Sequence, residues 1–148
     1  MTATNHVVTG ALIATYLHNP WLAIPIAFAS HFALDAIPHA SFPATDNKEH
    51  LRFLMILAVD MAVAASILMS LLVLQPPNFV LLIACGVAAA SPDLMWLYYI
   101  IIKKSREKEK WPAIAKFHAR IQKESPRFIV IEVVWFIVAG GLLATRLY

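Results

Sequence analysis

Three residues able to ligate a metal recur at every fourth position of one apolar run, His31-Phe-Ala-Leu-Asp35-Ala-Ile-Pro-His39. On a helix, steps of four drift by only about 40°, so His31, Asp35 and His39 share one face. His6 lies near the start of the chain, Asp60, Asp93 and Glu132 interrupt other apolar stretches, and His118 sits in a basic segment. An ionised group alone in hydrocarbon costs several kcal/mol, so such residues turn inward and need partners. The groups at comparable depth are carboxylates and imidazoles, with no Lys or Arg among them. Carboxylates alone would repel one another, whereas a divalent cation removes the repulsion and uses both ligand types. The expected ion is Zn²⁺, held by His31, Asp35 and His39, with His6, Asp93 and His118 completing one or two sites. Asp60 or Glu132 would orient a ligand histidine or take a proton from water.

Each residue also has a plainer reading. A single histidine on an apolar face, such as His6, serves as an interhelical hydrogen-bond donor. Asp60 alone would be a protonated acid bonded to a neighbouring helix. Ser91-Pro92-Asp93 is a common helix start, with Ser as cap and Pro at the first position, so it also reads as a helix broken and restarted. Cys85, the sole cysteine, sits in an apolar run. It reads as a small buried hydrophobe, and no disulfide framework is available.

The elements that position these residues follow from hydropathy. Of 148 residues, 60% are hydrophobic and 14% charged, and the mean hydropathy is +0.69. Soluble domains carry about 25% charged residues. The composition therefore predicts an all-α integral membrane bundle in a single domain, residues 1–148. Leu51–Leu74, Asn78–Ile102 and Phe128–Leu147 are each long enough for about 30 Å of hydrocarbon. Asn5–Leu17 and Trp21–Ile37, separated by His18-Asn19-Pro20, read as an N-terminal helical hairpin whose first helix is short. No cleavable signal peptide is expected, because no basic segment precedes the first apolar stretch.

A pI of about 9.2 first suggests nucleic acid. All of the 12 Lys and Arg except Lys48, Arg52 and Arg146, however, fall in 103–127. A basic block between apolar spans is a topology signal, so this loop and the N-terminus are expected on the cytoplasmic side of the inner membrane. No nucleic-acid partner is expected. The block would attract anionic lipid headgroups at about 1 kcal/mol per residue. Within it, apolar residues at 114, 117 and 121 predict an amphipathic helix lying on the membrane as a lid, with His118 facing inward.

The segments Asn5-His6-Val-Val-Thr-Gly10, Ser30-His31 through Pro38-His39, Ser91-Pro92-Asp93 and Phe117-His118 occur in that order. In this the chain resembles small bacterial proteins related to the LexA-regulated, membrane-bound metal-dependent hydrolases. Those are similar in turn to the all-helical zinc-dependent phospholipase C enzymes, in which a His-x-x-x-Asp helix supplies metal ligands. The chain has Pro-Asp-Leu at 92–94 where the hydrolases carry Pro-Asp-x-Asp-His, and it lacks their downstream His-Arg-Gly…Thr-His segment. The resemblance implies metal-assisted hydrolysis of a phosphoester, and the setting implies a membrane lipid or other amphiphile as substrate. The rival readings are an ion or proton pathway and a non-catalytic scaffold. The pathway needs polar groups continuing outward, and Ser66–Leu74 and Val138–Leu147 offer only small hydroxyls and glycines.

Overall fold

The computed structural model describes residues 1–41, 47–98 and 112–147. Helix α1 (Ala3–Tyr16) starts where Thr2 adopts extended backbone and its hydroxyl accepts from the Asn5 N–H at 3.4 Å. Helix α2 (Pro20–Asp35) is capped by Asn19, whose side chain accepts from Trp21 N at 3.0 Å, with Pro20 at the first position where no N–H is missed. It stops at Asp35 because Pro38 disfavours helical backbone in the residue before it. Helix α3 (Asn47–Leu74) starts one turn before the expected Leu51. A tight turn follows, in which Gln75 and Asn78 take left-handed backbone at φ 47° and 59°. Helix α4 (Phe79–Ala90) runs into a 3₁₀ turn at Ser91–Asp93 and then the short α5 (Leu94–Leu97). Helix α6 (Ala113–Ile121) precedes a second 3₁₀ turn (Pro126–Phe128) and α7 (Ile129–Arg146).

The fold is all-helical among the described residues, and its one extended pairing is an isolated parallel bridge between His39 and Glu124. Among the described residues, two helices are long and apolar enough to cross a membrane, Leu51–Leu74 and Pro126–Arg146. This corrects the expected hairpin plus three spans. The third, 78–102, is divided at Ser91–Asp93, and its part beyond 98 lies outside the described residues. Helices α1 and α2, of 14 and 16 residues, rise only about 21 and 24 Å, short of the hydrocarbon thickness. The basic segment 103–111 also lies outside the described residues.

Helix α1 is the axis of the bundle and packs against α2, α3, α4 and α7. Its approach to α4 is nearly backbone on backbone. A Cβ on Gly10 would fall 2.2 Å from the Cys85 carbonyl oxygen, and one on Gly86 would meet the Val7 carbonyl at 3.2 Å. Ala11, Ala14, Cys85 and Ala89 are fully buried beside this crossing. Small residues allow the close approach that membrane helices use in place of a hydrophobic driving force.

Candidate metal centre

Helix α2 projects His31 and Asp35 from adjacent turns of one face into the bundle, and both are fully buried. Opposite them, the 3₁₀ turn ending α4 carries Asp93, and α6 brings His118, also fully buried. One ligand atom from each of His31, Asp35, Asp93 and His118 lies within 4.8 Å of the others. His31 Nε2 is 3.4 Å from Asp35 Oδ2, 3.5 Å from Asp93 Oδ1 and 3.1 Å from His118 Nε2. Tetrahedral zinc with bonds of about 2.0–2.2 Å has ligand–ligand edges of about 3.3–3.6 Å; the two His31–carboxylate separations match these edges, and the His31–His118 separation is shorter. His118 Nε2 lies closer to Asp35 Oδ2, at 2.5 Å. Asp93 is the most accessible of the four.

The tautomer of His31 is fixed by its second nitrogen. Nδ1–H donates to the Ala89 carbonyl at 2.8 Å, which leaves the Nε2 lone pair directed at the cluster. Histidine ligands are oriented through their other ring nitrogen in this way. His6 Nε2 stands 3.1 Å from Asp35 Oδ1 and 4.0 Å from Asp93 Oδ2, and its ring stacks on His31 at 4.0 Å. Asp35 and Asp93 thus turn one oxygen toward His31 and the other toward His6. His6 Nδ1 is buried and has no partner among the described residues. The Met1 amino group also donates to Asp35 Oδ1.

His39 stands apart from the four. The helical periodicity that aligned it with Asp35 ends when α2 ends. Its Nδ1 donates to the Ile37 carbonyl at 2.8 Å, and Nε2 lies 3.8 Å from Glu124 Oε1. Its backbone N–H donates to Lys123 O and its carbonyl accepts from Ser125 N, each at 3.1 Å. This latch ties the segment after α6 to the segment after α2. Burial alone would lower the His39 pKa, but the Glu124 carboxylate overrides it and raises the pKa above 6.5. The same contact lowers that of Glu124 against its burial.

Asp60 and Glu132 are brought to the first turn of α1. Asp60 accepts from Ala3 N at 2.7 Å and Thr4 N at 3.1 Å, one bond to each oxygen. Glu132 accepts from Thr2 N at 3.2 Å, from the Thr2 hydroxyl at 2.9 Å and from Asn5 Nδ2 at 2.6 Å. Amide hydrogens of a first turn have no partner within their own helix, and the helix dipole favours negative charge there. Sequence reasoning missed this clamp, and only the Thr2-x-x-Asn5 cap hinted at it. It also missed Gln122, whose Nε2 donates to Asp35 Oδ2 at 3.2 Å and lies at the same distance from His118 Nε2. Gln122 follows His118 by four positions, a spacing that could have drawn attention to it. Comparison with protein-family models, characterised proteins and solved structures finds no match for this chain, and nothing in them relates it to a hydrolase family.

Proposed function

We propose that this chain is an integral membrane protein that holds a divalent metal, Zn²⁺ in our reading, and hydrolyses a phosphoester of a lipid or other amphiphile at the cytoplasmic interface. The observation that carries the reading is the convergence of His31, Asp35, Asp93 and His118 within 4.8 Å, with the His31 lone pair fixed toward the cluster by Ala89. When bound, a divalent ion supplies a Lewis acid and a water nucleophilic at neutral pH. The chain itself does the rest. Asp35 gathers His6, His118 and Gln122 around one carboxylate. Asp93, the most accessible of the four, is the ligand a substrate would reach first in this reading. His6 faces the second oxygens of both carboxylates, so it either ligates a second ion or fixes their orientation.

The resemblance to membrane-bound metal-dependent hydrolases supports the reaction class, and the basic loop supports a cytoplasmic site and an anionic headgroup. Elemental analysis of the purified protein tests the metal. About one equivalent or more of Zn²⁺ in the wild type is expected, lost in Asp35→Ala, together with chelator-sensitive cleavage of a phospholipid phosphoester. A protein that stays metal-free after incubation with Zn²⁺ or Mn²⁺ overturns the reading in favour of a scaffold. Metal without cleavage removes only the hydrolase.

A further inference from the structure

His6 is fully buried on α1, and its two ring nitrogens meet unlike surroundings. Nε2 stands 3.1 Å from Asp35 Oδ1, whereas Nδ1 has no partner among the described residues. A neutral imidazole carries one N–H, and the place of that hydrogen decides what the ring can do. With the hydrogen on Nδ1, a buried donor goes unmet and a bare nitrogen faces a carboxylate oxygen. A doubly protonated ring leaves the same Nδ1–H unmet. With the hydrogen on Nε2, the ring donates to Asp35 Oδ1, and only a lone pair is left over. Among backbone groups an orphaned buried N–H is rarer than an under-satisfied acceptor, and the desolvation cost behind that bias acts on a ring nitrogen too. His31 is the opposite case, because its Nδ1–H donates to the Ala89 carbonyl at 2.8 Å and frees Nε2 for an ion.

We propose that His6 is a positioning residue that donates to Asp35 and not a ligand, so that the centre takes one ion, through Asp35 Oδ2. This rests on the metal reading and not on the hydrolysis. The two oxygens of Asp35 have different partners. Oδ2 faces His31 Nε2 at 3.4 Å and His118 Nε2 at 2.5 Å, and it accepts from Gln122 Nε2 at 3.2 Å. Oδ1 faces His6 Nε2, and the Met1 amino group donates to the same oxygen. Asp93 is not held in this way. Its Oδ2 is 4.0 Å from His6 Nε2, beyond hydrogen-bond reach, and its Oδ1 is 3.5 Å from His31 Nε2. The His6 and His31 rings stack with centroids 4.0 Å apart and planes at 24°. Packing thereby sets their Nε2 atoms against opposite oxygens of one carboxylate. A carboxylate held from behind presents a fixed oxygen to the ion, and donors of this kind change metal affinity by about 10–100-fold.

The test uses the full chain in detergent micelles with ¹⁵N-labelled histidine. Long-range ¹H–¹⁵N spectra of the metal-free protein should show His6 protonated at Nε2 and bare at Nδ1, the signals being those lost in His6→Gln. After loading with ¹¹³Cd²⁺ in place of zinc, one ion per chain is expected, coupled to His31 and His118 and not to His6. His6→Gln keeps a donor near the place of Nε2 and should keep one ion at close to the wild-type affinity. His6→Ala should bind at least about tenfold more weakly; where it does not fold, the spectra of the unmutated chain decide. A proton on His6 Nδ1, cadmium coupled to His6, two ions per chain, or a folded His6→Gln that loses its ion overturns the proposal and leaves the metal centre standing. A chain that takes up no ion overturns both.

Discussion

Asp35 and Asp93 are acidic residues in apolar segments, and so are Asp60 and Glu132, but the two pairs are satisfied in unlike ways. Asp35 and Asp93 face imidazoles whose nitrogens also face each other, an arrangement that a cation completes. Asp60 and Glu132 face the backbone N–H groups of a helix start, an arrangement that is already complete. A buried carboxylate therefore signals a metal when its partners include side chains with lone pairs to spare, as for Asp35, which faces His31 and His118 besides accepting from the Met1 amino group and Gln122 Nε2. When all of its partners are fixed donors, the same residue type is a clamp. This distinction separates a candidate centre from its support, and it can be tested by breaking each half alone.

The largest effect is expected at Asp35. Asp35→Ala removes the carboxylate shared by His6, His118 and Gln122 and should cost about 3–5 kcal/mol of stability and at least about 100-fold in metal affinity. Denaturant melts and metal titration in detergent measure the two. An unchanged melt would show that the cluster is not the buried centre described here. Next is Gly10→Ala, which sets a methyl group against the Cys85 carbonyl. It should cost about 1–3 kcal/mol by forcing α1 from α4, and a wild-type melt would deny the close crossing.

Glu132→Ala strips three donors of their acceptor and should cost about 1–3 kcal/mol, while metal content holds. Asp60→Asn keeps an acceptor oxygen and should cost less. If either variant folds but loses metal, the clamp and the centre are one unit and the comparison fails.

The smallest effect concerns the His39–Glu124 latch. The raised His39 pKa adds stability that is whole below 6.5 and fades as pH climbs through the folded value. The lowered Glu124 pKa adds stability that is whole above 4.5 and fades as pH drops through its folded value. Protection of α6 amides, corrected for intrinsic exchange, should thus be greatest between 4.5 and 6.5. Glu124 is 45% exposed, so solvent screening keeps the change to a few tenths of a kcal/mol. Protection that rises steadily above pH 7 would contradict the pairing.

Much of the cluster was legible because helical geometry is. The step of four set His31 beside Asp35, Ser91-Pro92 marked a break that aims Asp93 inward, and the amphipathic run around His118 turned that residue toward the core. The same rule failed for His39 because periodicity describes a face only while the helix lasts, and Pro38 ends it. The partners of Asp60 and Glu132 could not be read, since backbone amides carry no residue type and their helix lies far away in the chain. The short length of α1 was legible, but its place was not: its small residues let it serve as the axis around which the longer helices pack.

The clamp on α1 also bears on how the protein is made. Glu132 is separated from Thr2 by 130 residues and from Asn5 by 127, whereas Asp60 lies 57 from Ala3. A ribosome adding roughly 5–20 residues per second therefore presents Asp60 within seconds and Glu132 on the order of ten seconds later. Until then the first turn of α1 carries donors that lack their Glu132 acceptor. The clamp is consequently closed only once α7 has been made. A chain stalled before α7 would expose that unfinished turn.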